Sequence, residues 1–266
     1  MFTGYFGLKF NPFTKEIPKE HLFSGHDLRE FYSRMDYLQK ARGIGLVVGE
    51  PGCGKSTALR GYACNLNPAL FKYCYFSLAN VTVLEFYQAL AIELGVEPKH
   101  KKVALFHQIQ QAISTLYYEQ RITPVIILDE IHLASNKLLE DLRLIFNFSM
   151  DSQNPFVLIL AGQPLIRSKL SLSINNPLRQ RIVVKYIMTG LSKDEVTDYL
   201  SSRIRVAGSK EDVFTPPAVD AIYGISSGVP RVINSLATNS LLYACGKKQH
   251  QVDEEVVYQA QSEMNL

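Results

Sequence analysis

Residues 49–56 read Gly49-Glu50-Pro51-Gly52-Cys53-Gly54-Lys55-Ser56, followed by Thr57. This G-x-x-x-x-G-K-[ST] pattern constrains the fold more than any other stretch. It works only as a turn between a buried strand and the first turn of a helix. Its glycines let consecutive backbone N–H groups turn inward around phosphate oxygens. The flanks fit, since 44–48 is a short apolar run and 56–66 reads as a helix whose N-terminus favours anions. The loop predicts a bound nucleotide, with Glu50, Pro51, Gly52, Cys53, Gly54, Lys55, Ser56 and Thr57 around its phosphates. Lys55 reaches the β- and γ-phosphates, and the Ser56 hydroxyl holds Mg²⁺.

A second segment points to hydrolysis. Pro124-Val125-Ile126-Ile127-Leu128-Asp129-Glu130 is an apolar strand ending in two carboxylates. In P-loop proteins an aspartate at such a strand end holds Mg²⁺, and that role falls to Asp129. Glu130 is then placed to orient or deprotonate the attacking water. One carboxylate would serve a binding switch; an adjacent second one suits turnover. The alternative, an exposed strand end that happens to be acidic, has little force with the loop upstream.

The chain of 266 residues allows one large domain, or a large and a small one. No apolar run approaches the ~20 residues of a membrane helix. The opening MFTGYFGLKFNPF lacks the charged start and long apolar core of a signal peptide, so cytoplasmic residence without a membrane is the expectation. Cys53, Cys64, Cys74 and Cys245 form no C-x-x-C pair and no metal-site spacing. A net charge of +3 permits nucleic-acid binding without arguing for it, so any basic surface must be local.

Residues 1–24 are rich in aromatics and prolines, including Phe2, Tyr5, Phe6, Phe10, Pro12, Phe13, Pro18 and Phe23, and read as a segment packed on the core, part of it against the adenine. Residues 25–41 read as a helix with Leu28, Phe31, Met35 and Leu38 on one face. Strands at 44–48, 71–77, 125–128, 156–161 and 182–186 then alternate with helices at 55–66, 83–94, 103–119 and 138–150. Such alternation, with continuous apolar strands, predicts an α/β fold with a parallel sheet covered by helices. Beyond about residue 191 the strand signals stop. Ser192-Lys193-Asp194-Glu195 is a capping box. Thr215-Pro216-Pro217 and Gly228-Val229-Pro230-Arg231 open two more helices, and Asp253 caps a fourth. The expected organisation is a segment at 1–24, an αβα core at 25–190 and a small helical lid domain at 191–266.

An αβα P-loop core followed by a helical lid resembles the AAA+ ATPases. Narrower features resemble the ExeA, TniB and TnsC type, with MuB a more distant relative. They are Tyr5-Phe6-Gly7-Leu8 with Asn11-Pro12-Phe13, Ala161-Gly162-Gln163-Pro164-Leu165, Leu178-Arg179-Gln180-Arg181-Ile182, Phe214-Thr215-Pro216 and Gly228-Val229-Pro230-Arg231-Val232-Ile233-Asn234. Secretion members of this group continue into a membrane helix and a periplasmic region, whereas this sequence stops at Leu266, as transposon-borne members do. The resemblance implies ATP and Mg²⁺ as ligands and a homo-oligomer, filament or ring, on duplex DNA without sequence preference. It further implies recruitment of a DDE transposase, choice of the target site with a target-selection protein, and hydrolysis that disassembles the oligomer. The alternative is an ExeA-like ATPase acting on a secretion or assembly complex without DNA. A third reading is a scaffold that binds ATP without turnover.

The same resemblance assigns further roles. Gln163, after the fourth strand, matches the γ-phosphate sensor. Arg179 or Arg181 matches the finger that reaches a neighbouring subunit's ATP, Arg181 fitting slightly better by spacing. Arg231 matches the lid arginine that contacts the bound nucleotide. Lys99, Lys101 and Lys102 lie where DNA-encircling relatives face DNA, with 115–118 and 136–137 as weaker candidates. His132 reads as local structure, and Lys247-Lys248-Gln249-His250 as a loop between lid helices.

Overall fold

Five parallel strands form one sheet: β1 (Gly43–Gly49), β2 (Phe71–Ser77), β3 (Thr123–Asp129), β4 (Val157–Gly162) and β5 (Ile182–Met188), in the order β2-β3-β4-β1-β5. The computed structural model describes residues 2–14, 21–78, 81–209 and 211–264. Two units are distinguished by their internal contacts. One comprises Glu30–Pro51 and Lys55–Met188; the other comprises Met1–Arg29, Gly52–Gly54 and Thr189–Leu266.

The first unit holds the sheet. Its inner strands β1, β3 and β4 are buried almost throughout, as their continuous Val, Ile and Leu runs require. The edge strands differ from the expected continuous pattern. β5 alternates between buried and exposed positions, and β2 leaves Tyr73 and Tyr75 exposed, because each edge strand presents a face with less cover. The helices are α2 (His26–Ala41), which starts in the other unit, α3 (Lys55–Asn65), α4 (Val83–Glu93), α5 (Lys102–Ser114), α6 (Asn136–Ile145), α7 (Leu165–Ser171) and α8 (Asn176–Gln180). α2 buries Phe31, Met35 and Leu38, as its spacing predicts.

Two helices depart from their sequence pattern. The helix expected at 103–119 gives way to a π turn at Thr115–Glu119, which seats Leu116 in the core and lets its carbonyl accept from the Ile122 N–H at 2.8 Å. The helix expected at 138–150 starts at Asn136, with Ser135 as its cap, and ends at Ile145. It stops there because Phe146 and Phe148 turn into the core against Phe156, at ring separations of 4.7 and 5.8 Å. Burying two aromatic rings outweighs one more helical turn. α7 and α8 lie between sheet strands where periodicity gave no helix.

The second unit contains α1 (Phe2–Tyr5), α9 (Lys193–Val206), α10 (Pro216–Ser226), α11 (Pro230–Gly246) and α12 (Glu254–Met264). Their apolar faces share a cluster with Phe2, Phe6, Leu8 and Phe13. The N-terminal aromatics, read from sequence as packing on the α/β core, therefore bury among the C-terminal helices. The Lys9 N–H donates to the Ala207 carbonyl at 2.8 Å, and the Phe13 and Phe214 rings meet edge to face. Pro18, counted with that segment, lies outside the described residues.

Two devices fix this unit. The Asp27 carboxylate accepts from the Thr189 and Gly190 N–H groups at 2.6 and 2.9 Å. Where the chain later returns, the Leu191 N–H donates to the Gly228 carbonyl at 2.8 Å. Gly228 has φ +76°, and a Cβ there would collide with the Leu191 carbonyl. The capping box forms as expected: the Ser192 Oγ accepts from the Glu195 N–H, and the Glu195 carboxylate accepts from the N–H groups of Ser192 and His26.

Two outcomes follow from this packing. Gly228→Ala should lower stability by at least about 1 kcal/mol, read by denaturant unfolding, because alanine must adopt a left-handed backbone against a carbonyl. Burial raises the Glu195 pKa, but its hydrogen bonds to Ser192 and His26 and the nearby Arg29 outweigh this and hold it below the usual carboxylate range. A depressed folded pKa gives stability that is full above the unfolded value and lost as pH falls through the folded one. Thermal melts of Glu195→Gln should therefore show a deficit of up to about 1 kcal/mol near neutral pH, because the amide loses the charge and keeps only one acceptor oxygen for the Ser192 and His26 N–H groups. That deficit should shrink as pH falls below about 4.3; a pH-independent deficit would assign it to geometry alone.

Candidate active site

Because the sheet is parallel, β1, β2, β3 and β4 all end at the same edge, and parallel α/β sheets bind ligands at their strand C-termini. β1 ends at Gly49 and α3 begins at Lys55, so residues 50–54 make the turn between them. Gly52 and Gly54 both have positive φ, at 89° and 104°, which lets the backbone curl. The Lys55 side chain is buried and folds back over the turn, its Nζ donating to the Gly49 and Glu50 carbonyls at 2.6 and 3.0 Å. An ammonium held by backbone carbonyls, beside the N-terminus of α3, concentrates positive potential at this turn.

Asp129, the last residue of β3, is buried and accepts hydrogen bonds at both oxygens. Its Oδ2 accepts from the Ser56 Oγ and from the Tyr75 hydroxyl, each at 3.1 Å. Its Oδ1 accepts from the Glu130 N–H at 2.9 Å. Ser56 and Asp129, assigned from sequence to one metal ion, are thus adjacent oxygen donors, the hard ligands that Mg²⁺ takes. Burial, and then the Asp129 and Glu130 carboxylates, push the Tyr75 phenol up to about 12, so it stays a donor. Sequence reading missed Tyr75. The available signal was its place two residues before the end of a strand parallel to β3, paired there with Ile127.

Glu130 follows in a left-handed backbone conformation, φ 57° and ψ 33°. Non-glycine residues adopt this conformation at a cost and gather at functional sites. A 3-10 turn, Ile131–Leu133, comes next. The Lys169 Nζ from α7 pins it, donating to the His132 and Ala134 carbonyls at 2.6 and 2.8 Å. The end of β4 presses on the same turn; a Cβ at Gly162 would lie 2.9 Å from the Ile131 Cγ2. Gln163 follows directly, and its N–H donates to the His132 Nδ1 at 3.3 Å. His132, read from sequence as local structure, thus touches both Glu130 and Gln163.

The cations separate into two kinds. Arg181 donates through Nη1 to the Arg143 carbonyl at 2.7 Å, which anchors it to the last turn of α6. Arg179 is exposed. The spacing preference for Arg181 therefore meets a side chain already engaged within its own unit. Lys99 and Lys101 are exposed ahead of α5. Lys102, grouped with them from sequence, instead pairs with the buried Asp141 carboxylate at 2.7 Å, which also accepts from the Tyr87 hydroxyl at 3.2 Å. Its charge is neutralised within the unit. In the other unit, the Arg231 N–H donates to the Gly52 carbonyl at 3.3 Å, and a Cβ at Gly52 would lie 2.7 Å from the Arg231 Cβ. Only glycine fits that crossing.

Among the described residues no helix is long and apolar enough to cross a membrane, and no group of three or more His, Cys, Asp or Glu side chains forms a metal cluster.

Comparison with known proteins agrees with this geometry. The family profile described as "AAA domain" matches residues 38–170, half of the chain. General secretion pathway protein A of Aeromonas hydrophila is 29% identical over 257 residues, which cover 95% of this chain and 46% of that protein. The chain thus spans about half the length of this curated relative. Among solved structures, the Aeropyrum pernix ORC1 protein in complex with DNA superposes with a TM-score of 0.65 at 18% identity, over 95% of this chain and 68% of that one. Cdc6p from Pyrobaculum aerophilum gives 0.67 at 16% identity, over 95% and 70%. A βαβ-built parallel sheet, a glycine loop closed by Lys55 and a carboxylate pair at the end of β3 accord with the profile match, and the chain belongs to the AAA family of P-loop ATPases.

Proposed function

We propose that the chain hydrolyses ATP and uses the nucleotide state to assemble and disassemble on duplex DNA. The observation that carries the hydrolytic part is the 3.1 Å contact between Ser56 Oγ and Asp129 Oδ2, with Glu130 as the next residue. Residues 50–57 cradle the phosphates, and Lys55 exchanges its backbone carbonyls for β- and γ-phosphate oxygens. Ser56 and Asp129 would hold Mg²⁺, which neutralises phosphate charge. Glu130 accepts a proton from water as the water oxygen bonds to the γ-phosphorus. The bond from that phosphorus to the β,γ-bridging oxygen breaks, and ADP carries away the electron pair. Gln163 reports the γ-phosphate from the end of β4, and Arg231 couples the bound nucleotide to the C-terminal helices.

Arg179 is the better finger for a neighbouring copy, because it is exposed while Arg181 is anchored to the Arg143 carbonyl. A finger supplied in trans makes turnover depend on assembly. Lys99 and Lys101 would meet DNA phosphates without reading bases, which suits an oligomer that covers any sequence. A relative of the same fold was solved in complex with DNA. In this reading the assembled form recruits a DDE transposase and, with a target-selection protein, helps select the site, and hydrolysis releases it. A second reading rests on the similarity to general secretion pathway protein A, which extends over nearly the whole chain. There the same ATPase cycle drives a secretion or assembly complex without DNA.

Two experiments test these readings. Glu130→Gln should lower kcat at least about 100-fold, the range of a lost general base, while nucleotide affinity by fluorescence titration stays near wild type. Wild-type turnover would remove Glu130 from this role. Duplex binding should require a non-hydrolysable ATP analogue and be weak in ADP, and the double variant Lys99→Glu, Lys101→Glu should flatten the salt dependence by about two charge equivalents. Equal duplex binding in the analogue, in ADP and without nucleotide would discard nucleotide-controlled assembly, and no duplex binding in any of the three, with turnover intact, would favour the secretion-type reading.

A further inference from the structure

The Asp129 carboxylate accepts one hydrogen bond that the hydrolytic cycle does not use. The Ser56 Oγ and the Glu130 N–H, at 3.1 and 2.9 Å, come from the loop helix and from the next residue in the chain. The remaining donor is the Tyr75 hydroxyl on β2, 3.1 Å from Oδ2. The same strand also holds the Asp129 backbone. Ser77 pairs with Asp129 in register, and the Leu78 N–H donates to the Asp129 carbonyl at 2.9 Å. Tyr75 lies two residues before Ser77 and so on the same face of the sheet. Tyr75 is 45% exposed, so burial accounts for little of the position its hydroxyl takes.

An ionised carboxylate has about four lone pairs, and a serine hydroxyl has one proton and two lone pairs. Ser56 and Tyr75 both donate to Oδ2, and the Glu130 N–H donates to Oδ1. About one carboxylate lone pair then remains. With its proton given to Asp129, the Ser56 Oγ keeps both of its own lone pairs for a cation. This arrangement holds only while the carboxylate keeps its plane. The terminal torsion of an aspartate is broad and not locked by its own sterics, so the plane is set by donors. The Glu130 N–H belongs to the adjacent residue, and Ser56 is itself a ligand to be placed. Tyr75 alone of the three is neither a metal ligand nor a chain neighbour.

We propose that Tyr75 is a positioning residue for the metal: its hydroxyl fixes the plane of the Asp129 carboxylate, so that Ser56 and Asp129 meet Mg²⁺ already arranged. The proposal rests on the reading that Ser56 and Asp129 hold Mg²⁺, and it assigns part of the metal affinity to the edge strand β2. Mg²⁺ demands near-ideal octahedral geometry, so a carboxylate that turns away from its direction weakens binding. Hydrogen-bond partners behind metal ligands are worth about 10–100-fold in affinity or activity. Tyr75 acts through Asp129 and leaves the phosphate loop at 50–57 untouched, so nucleotide binding without metal should not depend on it.

The test compares Tyr75→Phe and Asp129→Asn with wild type in the full chain. Mg²⁺ is titrated into the chain bound to a fluorescent ADP analogue, and ATP turnover is followed over the same Mg²⁺ range. Metal-free ADP affinity and thermal melts are measured alongside. Phenylalanine keeps the ring and removes only the hydroxyl. In Tyr75→Phe the half-saturating Mg²⁺ concentration should rise about tenfold, with metal-free ADP affinity within about twofold of wild type and turnover restored by excess Mg²⁺. Asp129→Asn should raise the half-saturating concentration at least as far. Wild-type Mg²⁺ dependence in Tyr75→Phe, with the rise present in Asp129→Asn, would overturn the proposal and leave the metal reading standing. Losses of metal-free affinity and melting temperature in Tyr75→Phe that excess Mg²⁺ does not restore would overturn it in favour of a purely structural tyrosine. Wild-type Mg²⁺ dependence in Asp129→Asn would remove the metal reading and the proposal with it.

Discussion

The hydrogen bonds that converge on Asp129 organise the sheet unit at the end where chemistry is expected. The carboxylate sits in the interior at the end of a fully apolar strand, where an unpaired charge would be costly. Ser56, Tyr75 and the Glu130 N–H supply its partners. Those three groups come from α3, β2 and the turn after β3. One buried carboxylate therefore sets the first turn of the loop helix, the end of an edge strand and the backbone of the next residue. The same oxygens are those a magnesium ion would use, so the apolar strand that makes Asp129 expensive to bury also makes it available as a ligand.

Within each unit, the close approaches are made by residues with little side chain. Gly52 lets the Arg231 backbone approach the loop, and Gly228 lets the chain cross itself ahead of α11. Gly162 lets β4 press on the 3-10 turn that carries His132. Gly52 meets Arg231, and Gly162 directly precedes Gln163, two residues with proposed roles, while Gly228 meets the Leu191 backbone. Small residues here convert strand order into contact between functional groups.

The cations show how packing selects among chemically equal candidates. Lys99, Lys101 and Lys102 are one basic run, yet Lys102 opens α5 and turns toward Asp141, where a buried carboxylate needs a partner. Arg179 and Arg181 are two residues apart, yet one is exposed and the other binds the last turn of α6, whose carbonyls lack helical partners. In both cases the unsatisfied group, a buried acid or a helix-end carbonyl, decides which cation remains outward.

Sequence alone determined the loop at 49–56, the carboxylate pair at Asp129 and Glu130, the strand–helix alternation and the caps at Ser192, Thr215 and Asp253. These are short-range signals: a glycine pattern, an apolar run or a hydroxyl three residues before its N–H acts within one or two turns of chain. Tertiary structure decided the rest. Tyr75 meets Asp129 across 54 residues, and His132 meets Gln163 across 31, because the parallel order β2-β3-β4-β1-β5 places those strand ends side by side. The early ends of α5 and α6, the helical company of the N-terminal aromatics and the engagement of Lys102 and Arg181 were likewise settled by partners far away in the chain. Local periodicity is blind to them, since it specifies which face of an element is apolar and not what that face will touch.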